Sequence, residues 1–393
     1  METVRGNAKP EATPPGSPLA SVVLNNYNYA RFIGEAIDSA LAQTYTPLEV
    51  VVVDDGSTDG SRSLIESYGD RVIPVLKENG GMASAINAGF HASRGDVVVF
   101  LDSDDTLLPG AVAAAVAVLH DPQVVKVHWQ MKQMDGAGRD MGALVPAQKL
   151  PEGDVRDLVI EKGPMSANGP PTSGNAWSRW FLEQVLPMPE HELKQHADAY
   201  LNTLASLFGE LGRLSEPQGR YRVHGENDYA SEPLVERLRR NLRMYHYRCR
   251  LLSAHLRASG VNVHPAAWKT DKPSHYKYLE RRFTVLQSIT ALIPPGGKFI
   301  LVDNGNFGRG ELIAGLSSVR FPTDGEDPSG SPPTDEAAIN QLERMRSDGA
   351  DFIVFVRPAL DWLTRYDGLR RHLEARYSCE LATDNSVAFN LRP

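Results

Sequence analysis

The stretch Phe100-Leu101-Asp102-Ser103-Asp104-Asp105 places three carboxylates in four residues directly after the apolar run 97–101. The run is short, rich in β-branched residues and preceded by Gly95-Asp96, which predicts a buried β-strand. Acids at the carboxyl end of such a strand lie where open α/β sheets bind ligands. Neighbouring carboxylates repel one another and are costly to bury, so a bound Mg²⁺ or Mn²⁺ would relieve that cost and could hold a diphosphate. A solvated acidic turn before a helix is the competing interpretation.

Strand and helix patterns alternate over residues 20–130, which predicts a parallel sheet with right-handed crossovers. Strands are expected at 20–24, 48–53, 72–76, 97–101 and 124–131, and helices at 31–42, 61–67 and 82–92. The Gly- and Pro-containing segment 135–175 is expected to be mainly loop. Further helices are expected at 181–185, 198–208, 234–256 and 276–292. A second α/β unit is expected around strands at 299–302 and 352–356, with an exposed loop at 321–335.

The chain of 393 residues is therefore expected to hold a disordered N-terminus and three further regions. We predict the boundaries 1–18 for the N-terminus, 19–230 for the first α/β domain, 231–293 for a helical connector and 294–393 for a smaller Rossmann-like domain. That last region is expected to position the acceptor, a partner or a second copy of the chain. Association of the chain into a homo-oligomer would use this C-terminal part.

The composition indicates which classes of partner and which cellular compartment to expect. A formal net charge of −8 and the lack of a sustained Lys/Arg block argue against a nucleic-acid partner. No apolar run reaches the length of a transmembrane span. Two cysteines far apart in the sequence fit a reducing cytoplasm rather than a disulfide framework. The arginines between 237 and 250 fit the solvated face of an amphipathic helix, with peripheral contact to a membrane surface as the alternative.

Polar side chains follow four successive predicted strands, where the carboxyl ends of parallel strands share one sheet edge. Asx-rich turns are common helix entries, but four of them at one edge favour a ligand site. A carboxylate after the second strand can accept the N3–H of uracil, an aromatic ring after the first can stack on the base, and glycines let the backbone approach ribose or phosphate. The four loops are Asn25-Asn26-Tyr27-Asn28, Asp54-Asp55-Gly56-Ser57-Thr58-Asp59, Glu78-Asn79-Gly80-Gly81 and Asp102-Ser103-Asp104-Asp105.

These motifs, in this order, closely resemble the GT-A family 2 glycosyltransferases over residues 19–120, and more weakly to about residue 228. The resemblance implies the GT-A fold, a Rossmann-like nucleotide-diphospho-sugar transferase domain. It implies that Asp55 binds uracil or another base and that Asp105 is the most direct metal ligand. The residues it places on the nucleotide or its sugar are Asn25, Tyr27, Asn28, Asp55, Gly81, Asn87, Asp102, Ser103, Asp104 and Arg222.

The weaker, downstream resemblance supplies the remaining site residues. The stretch Ser173-Gly174-Asn175-Ala176-Trp177 resembles the family's acceptor-side segment, and His196-Ala197-Asp198 resembles the segment that holds the catalytic base. Relatives often carry Glu-Asp there, and Ala197 replaces that Glu, so Asp198 is the expected base. An acid that merely stabilises a helix N-terminus is the alternative.

Two further expectations concern the diphosphate. Many relatives carry Arg before the Asn of the third loop's helix, whereas Ile86 precedes Asn87 here. A phosphate contact would then come from Arg94 or Arg222. His224, in the stretch 221–225 that resembles the family's late Arg/His segment, is expected to ligate the metal beside Asp104 and Asp105, or to touch the diphosphate.

The expected activity is inverting, metal-dependent glycosyl transfer (EC 2.4 type), with Mn²⁺ or Mg²⁺ as cofactor and a nucleotide-diphospho-sugar as donor. UDP-sugar is the default donor by resemblance, and GDP or dTDP forms are alternatives. The acceptor could be a glycan, a small molecule or a protein. Two other functions compete: a nucleotidyltransferase, and a non-catalytic protein that binds sugar nucleotides or acts as a scaffold.

Overall fold

The protein divides into two compact units in the computed structural model, which describes residues 16–225, 232–270, 275–308, 311–321, 332 and 334–392. The first unit comprises Met1–Gly225 and Tyr245–Asp271, and the second comprises Glu226–Met244 and Lys272–Pro393. The predicted helical connector is therefore shared, because residues 245–271 group with the first unit. Arg248 and Trp268 from this segment donate hydrogen bonds to Thr203 and Ile160.

Two predicted features fall largely outside the described residues. Of the predicted disordered N-terminus, residues 1–15 lie outside them, as do residues 322–331 and 333 of the predicted exposed loop.

The first unit is built on one large and one small β-sheet. Its strands are β1 (Ala20–Asn26), β2 (Leu48–Asp55), β3 (Ile73–Lys77), β4 (Val97–Asp102), β5 (Thr106–Leu107), β6 (Val124–His128), β7 (Met131–Asp135), β8 (Asp140–Val145), β9 (Asn175–Ser178), β10 (Glu210–Arg213) and β11 (Gly219–Val223). The large sheet has the order β10-β6-β9-β4-β1-β2-β3 and the small one has the order β5-β11-β7-β8. The four predicted parallel strands that open the chain are confirmed, whereas β9 runs antiparallel to both β4 and β6.

Helices cover the large sheet where the apolar spacing predicts them. In α1 (Ile33–Leu41), for example, Ile33, Ala36, Ile37 and Ala40 are all buried. The others in this unit are α2 (Ser61–Ser67), α3 (Met82–Ala92), α4 (Ala111–Leu119), α5 (Arg156–Lys162), α6 (Arg179–Val185), α7 (Ala197–Phe208), the later part of α8 (Leu234–Ala258) and α9 (Ala267–Thr270).

The central strands are apolar on both faces, as expected for parallel strands covered by helices. Val22, Val23 and Leu24 of β1 are at most 1% exposed. Helix α3 approaches β1 closely at Gly89, where a Cβ atom would lie 2.3 Å from Cγ1 of Val23. A larger residue at position 89 would push α3, and the loop before it, away from the sheet.

The segment 135–175 contains more regular structure than the sequence predicts. It holds the end of β7, all of β8 and α5, and the start of β9. Strand β8 lies at the edge of the small sheet and its first five residues are exposed. An exposed edge strand does not need the alternation of apolar and polar residues by which strands are recognised, so the pattern gives no signal there.

The second unit is an α/β structure around a five-stranded sheet, with buried apolar residues on both faces. Its sheet has the order β13-β12-β14-β16-β15, where β12 is parallel to β13 and β14, and β16 is antiparallel to β14 and β15. The predicted strands at 299–302 and 352–356 are confirmed. The elements are α10 (His275–Leu292), β12 (Lys298–Val302), β13 (Ser317–Arg320), α11 (Asp335–Ser347), β14 (Phe352–Val356), α12 (Trp362–Arg365), α13 (Asp367–Arg376), β15 (Ser378–Ala382) and β16 (Ser386–Asn390), together with the first part of α8.

Candidate active site

The register of the large sheet brings the predicted loops together at one edge. In the parallel pairs, Asn25 lies opposite Asp102 and Asn26 lies opposite Asp54. The side chains interact as well, since Nδ2 of Asn25 donates to Oδ1 of Asp102 at 2.9 Å. The first and fourth loops are thus joined directly, at the carboxyl ends of neighbouring strands, where open α/β sheets bind ligands.

The first and second loops are held to each other by short polar side chains. Asn28 adopts a left-handed backbone conformation, with φ of 58°. Its backbone N–H donates to Oγ of Ser57 at 2.9 Å, and its Oδ1 accepts from the N–H of Thr58 at 2.7 Å. Asn28 therefore shapes this edge of the site. Tyr27 beside it is 46% exposed, which leaves its ring accessible for stacking on a base.

Asp54 and Asp55 are adjacent and both buried, but they have different partners. Asp54 accepts hydrogen bonds from Asn26 (3.0 Å), the backbone of Ser57 (3.0 Å) and Nε of Arg62 (2.7 Å). Burial raises the pKa of Asp54, but hydrogen bonds from Ser57, Arg62 and Asn26 outweigh it and hold that pKa below its ordinary value. Asp54 therefore acts as an ionised anchor for the second loop.

Asp55, the predicted base contact, organises the third loop. Its carboxylate accepts from Nζ of Lys77 at 2.6 Å and from the backbone N–H groups of Gly80 and Gly81 at 3.0 and 2.7 Å. It is only 3% exposed. A base N–H would have to share these oxygens with Lys77, so base binding and the shape of the third loop are coupled through one carboxylate.

The third loop leads into α3 and contacts the segment that precedes α7. Gly81 has φ of +89°, and a Cβ atom there would lie 2.9 Å from Cα of Lys194. The N–H of Met82, the first residue of α3, donates to the carbonyl of Lys194 at 2.9 Å. Asn87, predicted to contact the nucleotide, instead exchanges hydrogen bonds with the backbone of Met188 and donates to Glu190. In this structure Asn87 holds the chain that leads to α7.

The three acids of the fourth loop lie in different environments. Burial first, and then repulsion from Asp104, raises the pKa of Asp102 to about 7, although hydrogen bonds from Asn25 and Thr172 act against the shift. Burial, followed by repulsion from Asp104 and Asp102, also raises the pKa of Asp105. This accumulation of negative charge would be relieved by a divalent cation.

Asp105, which was predicted to be the most direct metal ligand, has different surroundings from Asp104. Asp105 is fully buried, and its two oxygens accept from Oγ of Ser173 at 2.7 Å and from the N–H of Arg222 at 2.9 Å. Oδ2 of Asp104, by contrast, lies 3.1 Å from Nε2 of His224. Carboxylate and imidazole facing each other at this distance could both ligate one cation. Ser103, the residue before them, is buried at 3% exposure.

His224 reaches this position because β11 pairs with β5, directly after the acidic loop. Its ring packs against Phe32 and Tyr29, which follow the first loop, with centroid distances of 4.9 and 5.6 Å. The aromatic contacts fix the ring beside Asp104. Residues that are far apart in the sequence therefore meet at the acidic loop.

Arg222, predicted to contact the nucleotide, supports the acidic loop from within the fold. It is 2% exposed, its Nε donates to the carbonyl of Asp104 at 2.8 Å, and its guanidinium pairs with Glu35. Arg94, the alternative phosphate contact, pairs with Glu49 near the start of β2. That position is at the opposite end of the strand from the acidic loop, so Arg94 is not at the site.

Asp198 lies in the first turn of α7 and is partly exposed. Its charge is among the influences that raise the pKa of Asp102, which places the expected base close to the acidic loop. His196, directly before α7, has φ of 62°, a left-handed conformation that is costly for a residue with a side chain and that clusters at functional sites. Ala197, where relatives often carry Glu, is fully buried.

Two residues at this site, Ser173 and Lys77, had no predicted role in binding the acidic or base-contacting loops. Ser173 accepts a hydrogen bond from the N–H of Asp102 and donates one to Asp105. Lys77 binds Asp55 from the end of β3. The signal for Ser173 was its place in the predicted acceptor-side segment. The signal for Lys77 was a charged residue that ends a predicted strand on the ligand edge.

A family model described as glycosyl transferase family 2 matches residues 21–156. Residues 21–156 belong to glycosyl transferase family 2. This region contains all four polar loops, including the acidic one, and it ends before Asp198 and His224. The observed sheet and the loops at its carboxyl edge agree with the GT-A architecture expected from the sequence.

Two of the similar curated proteins are named as glycosyltransferases and a third as a chondroitin synthase. A Nostoc protein named an uncharacterized glycosyltransferase is 38% identical over 216 residues, which is 54% of this chain and 66% of that protein. A Rickettsia prowazekii protein of the same description is 37% identical over 135 residues, 34% of this chain and 42% of that one. Chondroitin synthase of Pasteurella multocida is 46% identical over 98 residues, 24% of this chain and 10% of the synthase. The chain thus spans less than two thirds of the length of each of these relatives.

Among solved structures, the chain is similar to a mannosyltransferase from Pyrobaculum calidifontis in complex with GDP-Man and Mn²⁺. The identity is 19% and the TM-score 0.45, with 92% of this chain and 87% of that one covered. Similarity at this level does not assign a ligand. Among the described residues, no helix is both long and apolar enough to cross a membrane.

Proposed function

We propose that this protein is an inverting, metal-dependent glycosyltransferase that moves a sugar from a nucleoside-diphosphate donor to a nucleophile of an acceptor. The observation that carries the proposal is the meeting of the polar loops at one sheet edge, where Asn25 donates to Asp102 at 2.9 Å and Oδ2 of Asp104 lies 3.1 Å from Nε2 of His224. The family assignment of residues 21–156 supports the same reaction. UDP-sugar is the favoured donor.

Mn²⁺ or Mg²⁺ would be held by Asp104 and His224. The described residues include no group of three His, Cys, Asp or Glu side chains arranged for a metal, so the protein would supply two ligands. A cation held by one or two side chains plus substrate phosphates is the usual arrangement for Mg²⁺ with a nucleotide. When bound, the ion would neutralise the charge that develops on the departing diphosphate.

The residues of the chain would bind and orient the two substrates. Tyr27 would stack on the base, Asp55 and Lys77 would contact its polar edge, and Asn25 and Asp102 would lie near the ribose. Asp198 would accept the proton of the acceptor hydroxyl as its oxygen forms a bond to the anomeric carbon. The bond from that carbon to the diphosphate oxygen breaks in the same step, and the electron pair leaves with the nucleoside diphosphate. A single displacement of this kind inverts the anomeric configuration.

Two alternatives are less well supported. A nucleotidyltransferase usually needs a basic, Gly-rich loop after the first strand to hold a triphosphate, and residues 25–28 contain neither Lys nor Gly. A non-catalytic sugar-nucleotide-binding protein was favoured mildly by Ala197. Because Ala197 is fully buried while Asp198 beside it is partly exposed, the acid better placed for catalysis is retained.

A donor panel tests the proposal. The full chain is incubated with UDP-, GDP- and dTDP-sugars and Mn²⁺, and release of nucleoside diphosphate is followed with and without a mixture of sugar acceptors. We expect release from one donor class, stimulated by an acceptor and abolished by EDTA. Release of pyrophosphate from a nucleoside triphosphate would support the nucleotidyltransferase instead. Binding of a donor without any turnover would support the non-catalytic alternative.

We also propose a reducing, cytoplasmic location with contact to a membrane surface. Cys249 is buried and Cys379 is exposed, so the two do not share one environment. In the part of α8 that belongs to the first unit, Arg250 and Arg257 are exposed and lie seven residues apart, so they share one side of the helix. Anionic lipid would attract such a pair. Sedimentation with vesicles that contain phosphatidylserine, compared with neutral vesicles, tests this contact.

The second unit is proposed to position the acceptor, a partner or a second copy of the chain. Strand β15 forms one edge of its sheet, and four of its five residues are exposed. An exposed strand edge can pair with another chain. Light scattering on the purified protein would show whether it forms an oligomer.

A further inference from the structure

Besides Arg222, two further cations are buried in the described part of the unit that carries Asp198. Lys126 in β6 is 1% exposed and Arg248 in α8 is 3% exposed. Neither makes a direct ion pair with a carboxylate in the described part of the chain. Burying a charge without a close counter-charge costs free energy, so such groups need another explanation for their place in the fold.

Both cations bind the same turn of α7. The ammonium group of Lys126 donates to Oδ1 of Asn202, and Nε of Arg248 donates to Oγ1 of Thr203 at 2.7 Å. Thr203 in turn donates to the carbonyl of Ala199 at 2.6 Å. Asn202 and Thr203 lie about one helical turn after Asp198, so these bonds fix the turn that directly follows the proposed base.

The same two side chains also contact residues 164–169 and Trp177. Arg248 donates to the carbonyl of Pro164 at 2.6 Å and to Oδ1 of Asn168 at 3.0 Å. The ammonium group of Lys126 lies 5.2 Å from the ring centroid of Trp177, and a Cβ atom at Gly169 would be 2.6 Å from it. Position 169 therefore has room for the ammonium group only because it is glycine. The cations join α7 to residues 164–169.

The charges of this group are coupled to Asp198. Burial lowers the pKa of Lys126 to about 7 and that of Arg248 to about 10, while Asp198 acts in the opposite direction on both. Both cations therefore interact electrostatically with Asp198. His196 lies at the start of the same helix.

We propose that Lys126 and Arg248 are positioning residues that hold Asp198 oriented toward the acceptor. This inference rests on the proposed function, in which Asp198 takes the acceptor's proton. Neither cation need touch a substrate, since both are buried and act through α7. Their role is separate from donor binding, because their described hydrogen bonds go to α7 and to residues 164–168, and none goes to the four loops at the donor edge.

The test compares Lys126→Met and Arg248→Lys with Arg179→Lys as a matched control. Arg179 also donates buried hydrogen bonds within this unit, to Gly95 and Ser93, but has no described bond to α7. For Lys126→Met we expect kcat to fall about 10-fold with donor Kd unchanged, because orientation of the base is lost and donor binding is not. Arg248→Lys should retain a larger share of kcat than Arg248→Met, while the control matches the wild type.

Wild-type kcat in folded Lys126→Met would overturn the inference, as would an equal loss in Arg248→Lys and Arg248→Met. If Lys126→Met does not fold, the two Arg248 variants decide. Asp198→Asn separates this inference from the proposed function. An inactive Asp198→Asn with a normal Lys126→Met refutes the positioning role alone. A fully active Asp198→Asn refutes the base and, with it, the positioning role.

Discussion

Nε2 of His224 lies 3.1 Å from Oδ2 of Asp104, although Asp104 follows β4 and His224 follows β11, far apart in the sequence. The contact exists because β11 pairs beside the acidic loop and because Phe32 and Tyr29 fix the imidazole. In the proposed enzyme this pair is the protein's contribution to the metal site.

Removal of either member of the pair should weaken the metal complex. We expect His224→Ala and Asp104→Ala each to lower the affinity for Mn²⁺ in the presence of nucleoside diphosphate by 10-fold or more, roughly the effect of altering a metal site's ligand environment. Calorimetric titration with Mn²⁺ checks this. Tyr68→Leu, which changes a buried ring whose described hydrogen bonds go to Gly34 and Asp38, is the control for a general loss of packing. Unchanged Mn²⁺ affinity in both ligand variants would exclude this pair as the site.

Asp105 should behave differently from Asp104. Asp105→Ala leaves the hydroxyl of Ser173 and the N–H of Arg222 without their buried acceptor, so the free energy of unfolding should fall by about 1–3 kcal/mol. Asp104→Ala should change it much less, because its carboxylate is partly exposed. Urea unfolding of the two variants measures the difference. Equal stability would show that the bonds of Asp105 contribute nothing.

Asp55 couples base recognition to the third loop, so its loss should have two effects. In Asp55→Ala we expect nucleotide binding to weaken by about 1–3 kcal/mol, the cost of an unpaired buried partner. The N–H groups of Gly80 and Gly81 would also lose their acceptor, and hydrogen exchange over residues 78–82 should become faster. Lys77→Met serves as the control, because it removes one partner of Asp55 but keeps the hydrogen bonds from Gly80 and Gly81. Full affinity in Asp55→Ala would rule out its role at the base.

Lys126 should make stability depend on pH in a defined direction. Its pKa is lowered by burial from 10.5 to about 7, so the unfolded chain binds more protons than the folded one between these values. The contribution of Lys126 to the free energy of unfolding therefore rises with pH across that window and is lowest below about pH 7. Lys126→Met removes this dependence, while the lost bond to Asn202 costs the same at every pH. The melting temperature of the wild type relative to Lys126→Met should increase from about pH 7 to pH 10. A pH-independent difference would contradict the buried, charge-disfavouring environment.

The sequence predicts the donor side of this site far better than the acceptor side. Each donor loop is a continuous motif at the end of an apolar strand, so its place on the sheet follows from strand periodicity alone. The four loops do meet at one edge, as Asn25 and Asp102 show. The division of labour among adjacent acids is not periodic, however. That Asp105 points inward and Asp104 outward depends on Ser173 and Arg222, which come from distant elements.

The acceptor side depends on long-range packing. Arg248 looks like one of several arginines on an amphipathic helix, and only the fold shows that it is buried against Thr203 while Arg243 and Arg250 are exposed. Lys126 lies among the three valines of β6, where the sequence indicates no partner for it. Buried polar groups of this kind are chosen by tertiary contacts, which a local pattern does not record.

The most direct measurement is kcat and donor Kd for Asp198→Asn with the donor that the panel identifies. The substitution keeps the shape of the side chain and its capacity for hydrogen bonds, but it cannot take up the acceptor's proton. We expect kcat to fall roughly 10²- to 10⁴-fold, as for loss of a general base, with nearly unchanged donor Kd. A folded variant with near wild-type kcat would contradict it, and would leave Asp198 as an acid that stabilises the start of α7.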